Sequence, residues 1–128
     1  MTSKAKDIST SFDVSKYTVS TEPTTETITI EGTGDTFDVS IKPLTWAKRN
    51  QLISRHLNWD SDGNTSFSGD EYVRACLREM IIEAPWGKTT EAFLISIDER
   101  LGKALEELVP QAFGTDDLTE SETIKKGQ

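Results

Sequence analysis

Thr27-Ile28-Thr29-Ile30, Gly32-Thr33-Gly34-Asp35 and Phe37-Asp38-Val39-Ser40-Ile41 form the run on which the fold turns. Apolar residues recur at every second position on both sides of a Gly-rich link, the period of a β-strand and the mark of a hairpin over residues 26–42. This period puts Ile28 and Ile30 on one face of the first strand, and Phe37, Val39 and Ile41 on one face of the second. Glycine supplies the positive φ values that a tight reversal needs, and Pro43 ends the second strand. A lone hairpin is marginal in water, so its apolar face must lie on helices or on a partner's sheet.

Downstream, the period lengthens to that of helices. Thr45 reads as the N-cap of a helix over 46–57, in which Trp46, Ile53 and Leu57 share a face flanked by Leu52 and His56 and interrupted by Asn50; Trp46 is assigned to the core. Asn58 to Ser66 is rich in short polar residues that favour turns, and reads as an exposed loop. Ser68-Gly69-Asp70-Glu71 has the form of a capping box, with Phe67 and Tyr72 spaced for a hydrophobic staple. The helix it starts is expected over 69–84, with a stripe of Val73, Cys76, Leu77, Met80 and Ala84, Ile82 facing the other way, and Pro85 as the stop. A third helical stretch over about 90–109, capped by Thr89, carries Phe93, Leu94, Ile97, Leu101, Leu105 and Leu108 on one stripe, with Asp98 and Gly102 as break points and Pro110 as the stop.

The expectation is a single α+β domain over 26–113, an N-terminal β-hairpin packed on a small bundle of three or four α-helices. A Ser/Thr-rich arm over 1–25 and a polar tail over 114–128 are expected to be flexible: the first 25 residues hold eleven Ser or Thr and few large apolar groups to offset the entropy of ordering them. Phe12-Asp13-Val14-Ser15 recurs as Phe37-Asp38-Val39-Ser40, which offers the arm as an added edge strand.

Composition narrows the function. The chain has 128 residues, enough for one modest core, and its net charge of -8 opposes phosphate backbones and anionic lipid, so neither nucleic acid nor a membrane surface is an expected partner. No run approaches the ~18 apolar residues of a membrane span, and the amino terminus carries no apolar secretory core, so a cytosolic protein is expected. A single cysteine, Cys76, leaves no disulfide framework within one chain.

The chemical motifs are weighed against plainer readings. Asp60, Asp62 and Asn64, with Glu71 at the twelfth place, follow part of a calcium-loop spacing, but Thr65 stands where the loop needs glycine and Glu71 is claimed by the capping box, so a polar turn is the default. Gly87-Lys88-Thr89 imitates the end of a phosphate loop without the strand that should precede it, and no cofactor is expected. His56 and Cys76 are the sole imidazole and thiol, yet Cys76 lies mid-stripe, where a thiol acts as a small hydrophobe; no catalytic set emerges. Trp59 and Trp86, on connections between helices, either pack inward or project as anchors for another protein.

Phe37 to Trp46, Asn58-Trp59-Asp60, Met80-Ile81-Ile82-Glu83-Ala84-Pro85-Trp86-Gly87 and the Leu101 to Phe113 stretch, taken in order, resemble the tail assembly chaperones of long-tailed phages and related viruses. The resemblance implies a non-enzymatic protein of the host-cell cytoplasm that coats the aggregation-prone tape-measure protein, helps recruit tail-tube subunits, has scope for self-association, and is absent from the finished particle. On this reading Trp59, Ile82 and Trp86 are the expected partner-binding residues. Two other readings stand beside it: a structural subunit of a tail, neck or injection apparatus joined to neighbours by strand addition, and a calcium-responsive adaptor using Asp60, Asp62, Asn64 and Glu71.

Overall fold

Threonine alternating with larger residues builds β1 (Thr24–Thr29) and β2 (Thr36–Ile41), paired antiparallel with Thr24 opposite Ile41 and Thr29 opposite Thr36. The computed structural model describes residues 11–112; the expected tail over 114–128 and the first ten residues of the expected arm lie outside them. The chain reverses through Gly32 and Gly34, at φ 95° and 78°, while the Ile30 N–H donates to the Asp35 carbonyl at 2.8 Å. Ile28, Val39 and Ile41 are buried on the inner face, and on the outer face the Thr27 hydroxyl donates to Asp38 Oδ1 at 2.7 Å. Before the hairpin, the arm forms no strand over Phe12 to Ser15: Asp13 accepts from the Ser15 N–H and caps a short 3-10 helix, Val14–Tyr17, on which Phe12 and Tyr17 stack at 5.3 Å.

Helix α1 (Trp46–Arg55) starts at Thr45, whose hydroxyl accepts from the Lys48 N–H at 3.0 Å. It turns Leu52 inward, and this corrects the assignment of Trp46 to the core: Trp46 is 79% exposed. Six residues of helix set the two side chains about 120° apart, so seating Leu52 turns Trp46 away from the body. The expected loop after α1 is a second, small hairpin of β3 (Leu57–Trp59) and β4 (Thr65–Phe67), with Trp59 opposite Thr65. Asp60 closes its tip, its Oδ1 accepting from the backbone N–H groups of Asp62 and Asn64, both at 2.9 Å, and Gly63 takes the positive φ of 85°.

Helix α2 (Gly69–Met80) begins at Ser68 without the expected capping box, because the Ser68 hydroxyl makes no cap bond and instead accepts from Asn58 Nδ2 at 2.9 Å, which ties the hairpin to the helix start. The staple is present, with the Phe67 and Tyr72 rings 5.4 Å apart. The helix expected to reach residue 84 stops at Met80, and Ile81–Glu83 becomes β5. Two β-branched residues ahead of a proline favour extended backbone, and the free edge of β2 gives them a ladder: Ile81 lies opposite Ile41 and Glu83 opposite Ser40. The main sheet therefore has the order β1-β2-β5, antiparallel throughout.

Beyond a turn at Gly87, Thr90 rather than Thr89 caps α3 (Glu91–Ser96), accepting from the Phe93 N–H at 3.1 Å. Asp98 then breaks the helical stretch and caps α4 (Glu99–Glu106), accepting from the N–H groups of Arg100 and Leu101 at 3.0 and 3.2 Å, whereas Gly102 sits inside α4 without interrupting it. The fold is α+β, with its main hairpin N-terminal to four α-helices among the described residues. One core joins the inner sheet face to Leu77, Leu94, Ala104 and Leu105; a second joins Leu52 of α1 to Tyr72, Ala75, Cys76 and Met80 of α2.

Candidate functional site

The three residues expected to bind a partner do not form one patch. Trp59 projects from β3 with 71% of its surface exposed, and Ile82, 47% exposed on β5, borders a shallow hollow shared with Asp38, Arg78 and Lys88. Trp86 takes the inward of its two expected positions: it is half-buried, stacked on Phe93 at 4.7 Å and edge-on to Phe37 at 5.4 Å, with its Nε1 donating to the buried Thr89 hydroxyl at 2.9 Å. Thr89, three residues on, supplies the acceptor for the indole N–H, so the ring packs inward with its polar atom satisfied. Sequence reading missed two exposed side chains, Trp46 and Ile95, the latter 65% exposed on the outer side of α3.

Between α2 and α4 lies an open trough of about 1200 Å³, with residues 109–112 in its lining. Its apolar lining comes from Phe67, Val73, Ile97 and Val109, all half-buried. Charge collects along it: Asp70, Asp98, Glu99, Glu106 and Glu107 line the trough against Arg74 and Lys103. Arg74 is already engaged by Asp70 at 3.1 Å and by Glu91 at 2.8 Å, an arrangement that holds Asp70 below the usual carboxylate range and pins α3 to α2. Asp98 is likewise lowered by its hydrogen bonds from Arg100 and the Leu101 N–H. The spacing of Glu99, Glu106 and Glu107 was the sequence signal for this wall, since residues seven and eight apart share a helix face.

The far end of the trough is fixed by side chains from α1 and α2. Arg49 donates through Nη2 to the Ala112 carbonyl at 2.7 Å and through Nε to the Gln111 carbonyl at 3.2 Å, while the Tyr72 hydroxyl donates to the Pro110 carbonyl at 2.8 Å. Burial raises Tyr72 above the ordinary phenol range and raises the neighbouring Cys76 thiol as well, the opposite of what a thiolate nucleophile needs. His56 Nδ1 lies 2.8 Å from the Leu52 carbonyl, where the ring serves the end of α1.

Asp60, Asp62, Asn64 and Glu71 do not converge: the Asp60 oxygens serve the hairpin tip, which lowers that carboxyl through hydrogen bonds led by the Asn64 N–H, and Glu71 is on α2. Among the described residues no group of three or more His, Cys, Asp or Glu is placed to hold a metal ion, and no helix is long and apolar enough to cross a membrane. No family model, curated protein or solved structure matches the chain.

Proposed function

We propose that the protein is a non-enzymatic assembly chaperone, acting in the host cytoplasm as tail assembly chaperones do, which covers apolar helical surface of a tape-measure protein and helps recruit tail-tube subunits before leaving the assembled particle. The observation that carries the reading is the set of large apolar side chains left in solvent on an acidic body: Trp46, Trp59, Ile82 and Ile95 are 79%, 71%, 47% and 65% exposed on a chain of net charge -8. Scattered apolar side chains are ordinary on a protein surface, but two indoles more than two-thirds exposed are expensive to leave in water unless another surface covers them. Dispersed weak anchors suit a long client bound by many copies, where multivalency supplies residence time, and the acid excess keeps the complex soluble. Coexpression with the tape-measure protein is the test. Copurification and a larger soluble fraction of the client are expected, and a client equally insoluble with and without this protein refutes the reading.

One observation favours a structural subunit instead: β1 is an edge strand of six residues whose outer ladder groups face no other strand among the described residues. An open edge accepts a neighbour's strand. Under that reading, mass spectrometry finds the protein in finished particles at many copies, and its absence from them removes the option.

A further inference from the structure

We infer that the trough between α2 and α4 is a docking groove for an amphipathic α-helix whose apolar stripe is flanked by lysine or arginine. The inference rests on the chaperone reading and names the surface and the chemistry of its client. Three observations carry it. The trough is open to solvent and bounded by two helices, and its half-buried Val73, Ile97 and Val109 present apolar surface of the kind a helix stripe covers. Its charge is one-sided: Asp70 is held by Arg74 and Asp98 by Arg100, which leaves Glu99, Glu106 and Glu107, without an ion pair among the described residues, facing Lys103. The third is Gly102, placed inside α4 where glycine weakens a helix, and lining the trough. Among the described residues a Cβ built there meets only Ile97 Cδ1, at the ordinary contact distance of 3.8 Å, so none of them requires the missing side chain. What its absence provides is close approach of another backbone to α4.

Charge also selects among occupants. The chain's own segment after Ala112 begins at the end of the trough, but it brings Asp116, Asp117, Glu120 and Glu122 against Lys125 and Lys126, and a second copy brings a further net charge of -8; both are repelled by the acidic wall. A basic-flanked helix is attracted by it.

The test uses the full chain and two fluorescent helical peptides of about 20 residues with one leucine stripe, one flanked by lysine and the other by glutamate, read by anisotropy at low and high salt. The lysine peptide is expected to bind at least tenfold more tightly, with the difference shrinking in salt. Two variants locate the site. Gly102→Leu places a bulky side chain on the trough wall where close approach is proposed and is expected to weaken lysine-peptide binding at least tenfold with a melting temperature at or above that of the unaltered protein. The triple reversal Glu99→Lys, Glu106→Lys, Glu107→Lys alters only exposed or rim side chains and is expected to invert the peptide preference. Equal binding of the two peptides, or binding that neither variant changes, overturns the inference. Coexpression separates this from the wider reading: a tape-measure client solubilised equally by the unaltered protein and by both variants rejects the groove and keeps the chaperone, whereas a client solubilised by none rejects the chaperone and leaves the peptide titrations to judge the groove.

Discussion

Leu77, 3% exposed, belongs to the larger core with the sheet residues Val39, Ile41 and Ile81, and Leu77→Ala is expected to cost about 2–5 kcal/mol in chemical denaturation, combining lost transfer energy with the cavity left behind. Gly102 works in the other direction: alanine there meets Ile97 at ordinary contact distance and gains helix propensity, so Gly102→Ala is expected to raise stability by about 0.5–1 kcal/mol in the same assay. Tyr72 and Cys76 give a pH dependence whose sign follows from burial. Both hold their protons in the folded chain to higher pH than in the unfolded chain, where thiol and phenol ionise near ~8.5 and ~10, so above those values the unfolded chain binds fewer protons and stability falls as pH rises. Thermal melts from pH 7 to 11 are expected to show that fall, with its upper part reduced in Tyr72→Phe. An unchanged slope in the variant assigns the alkaline loss to other groups.

At the level of elements, the junction between α3 and α4 depends on Asp98, which caps α4 and holds Arg100; Asp98→Ala is expected to cost about 1 kcal/mol, within the usual range for an N-cap, measured by urea unfolding. That break was legible in the sequence, as were the main hairpin, the Thr45 start and the Phe67–Tyr72 staple, because each is set by residues within a few positions of one another. What was not legible depended on distant partners. Ile81 to Glu83 continue a helical stripe in sequence and become strand only because β2, forty residues earlier, has an edge to offer. Trp46 shares a helical face with Ile53 on paper, yet the face that buries is chosen by α2, which receives Leu52. Ser68 has the spacing of a capping box and loses it to Asn58, a residue made neighbour by a hairpin that short polar residues disguised as loop. The acidic wall of the trough was present as a spacing but had no meaning until α4 was set beside α2.

For the whole molecule, the division between indoles that serve the core and indoles left outside is open to direct measurement. Trp46 and Trp59 are expected to emit as solvated indoles and to be quenched readily by acrylamide, while Trp86, stacked on Phe93, is protected; a double Trp46→Phe, Trp59→Phe variant therefore retains a weakly quenched emission. Strong quenching in that variant contradicts the packed position of Trp86. The sheet order carries a consequence for synthesis. β2 is central, but its second neighbour is made forty residues after it, which at ~5–20 residues per second is a wait of roughly 2–8 s on the ribosome. A chain that ends before β5 therefore holds a half-built sheet, with one flank of β2 bare and Val39 and Ile41 incompletely covered, so a fragment cut after Met80 should be less soluble than one cut after Ala112.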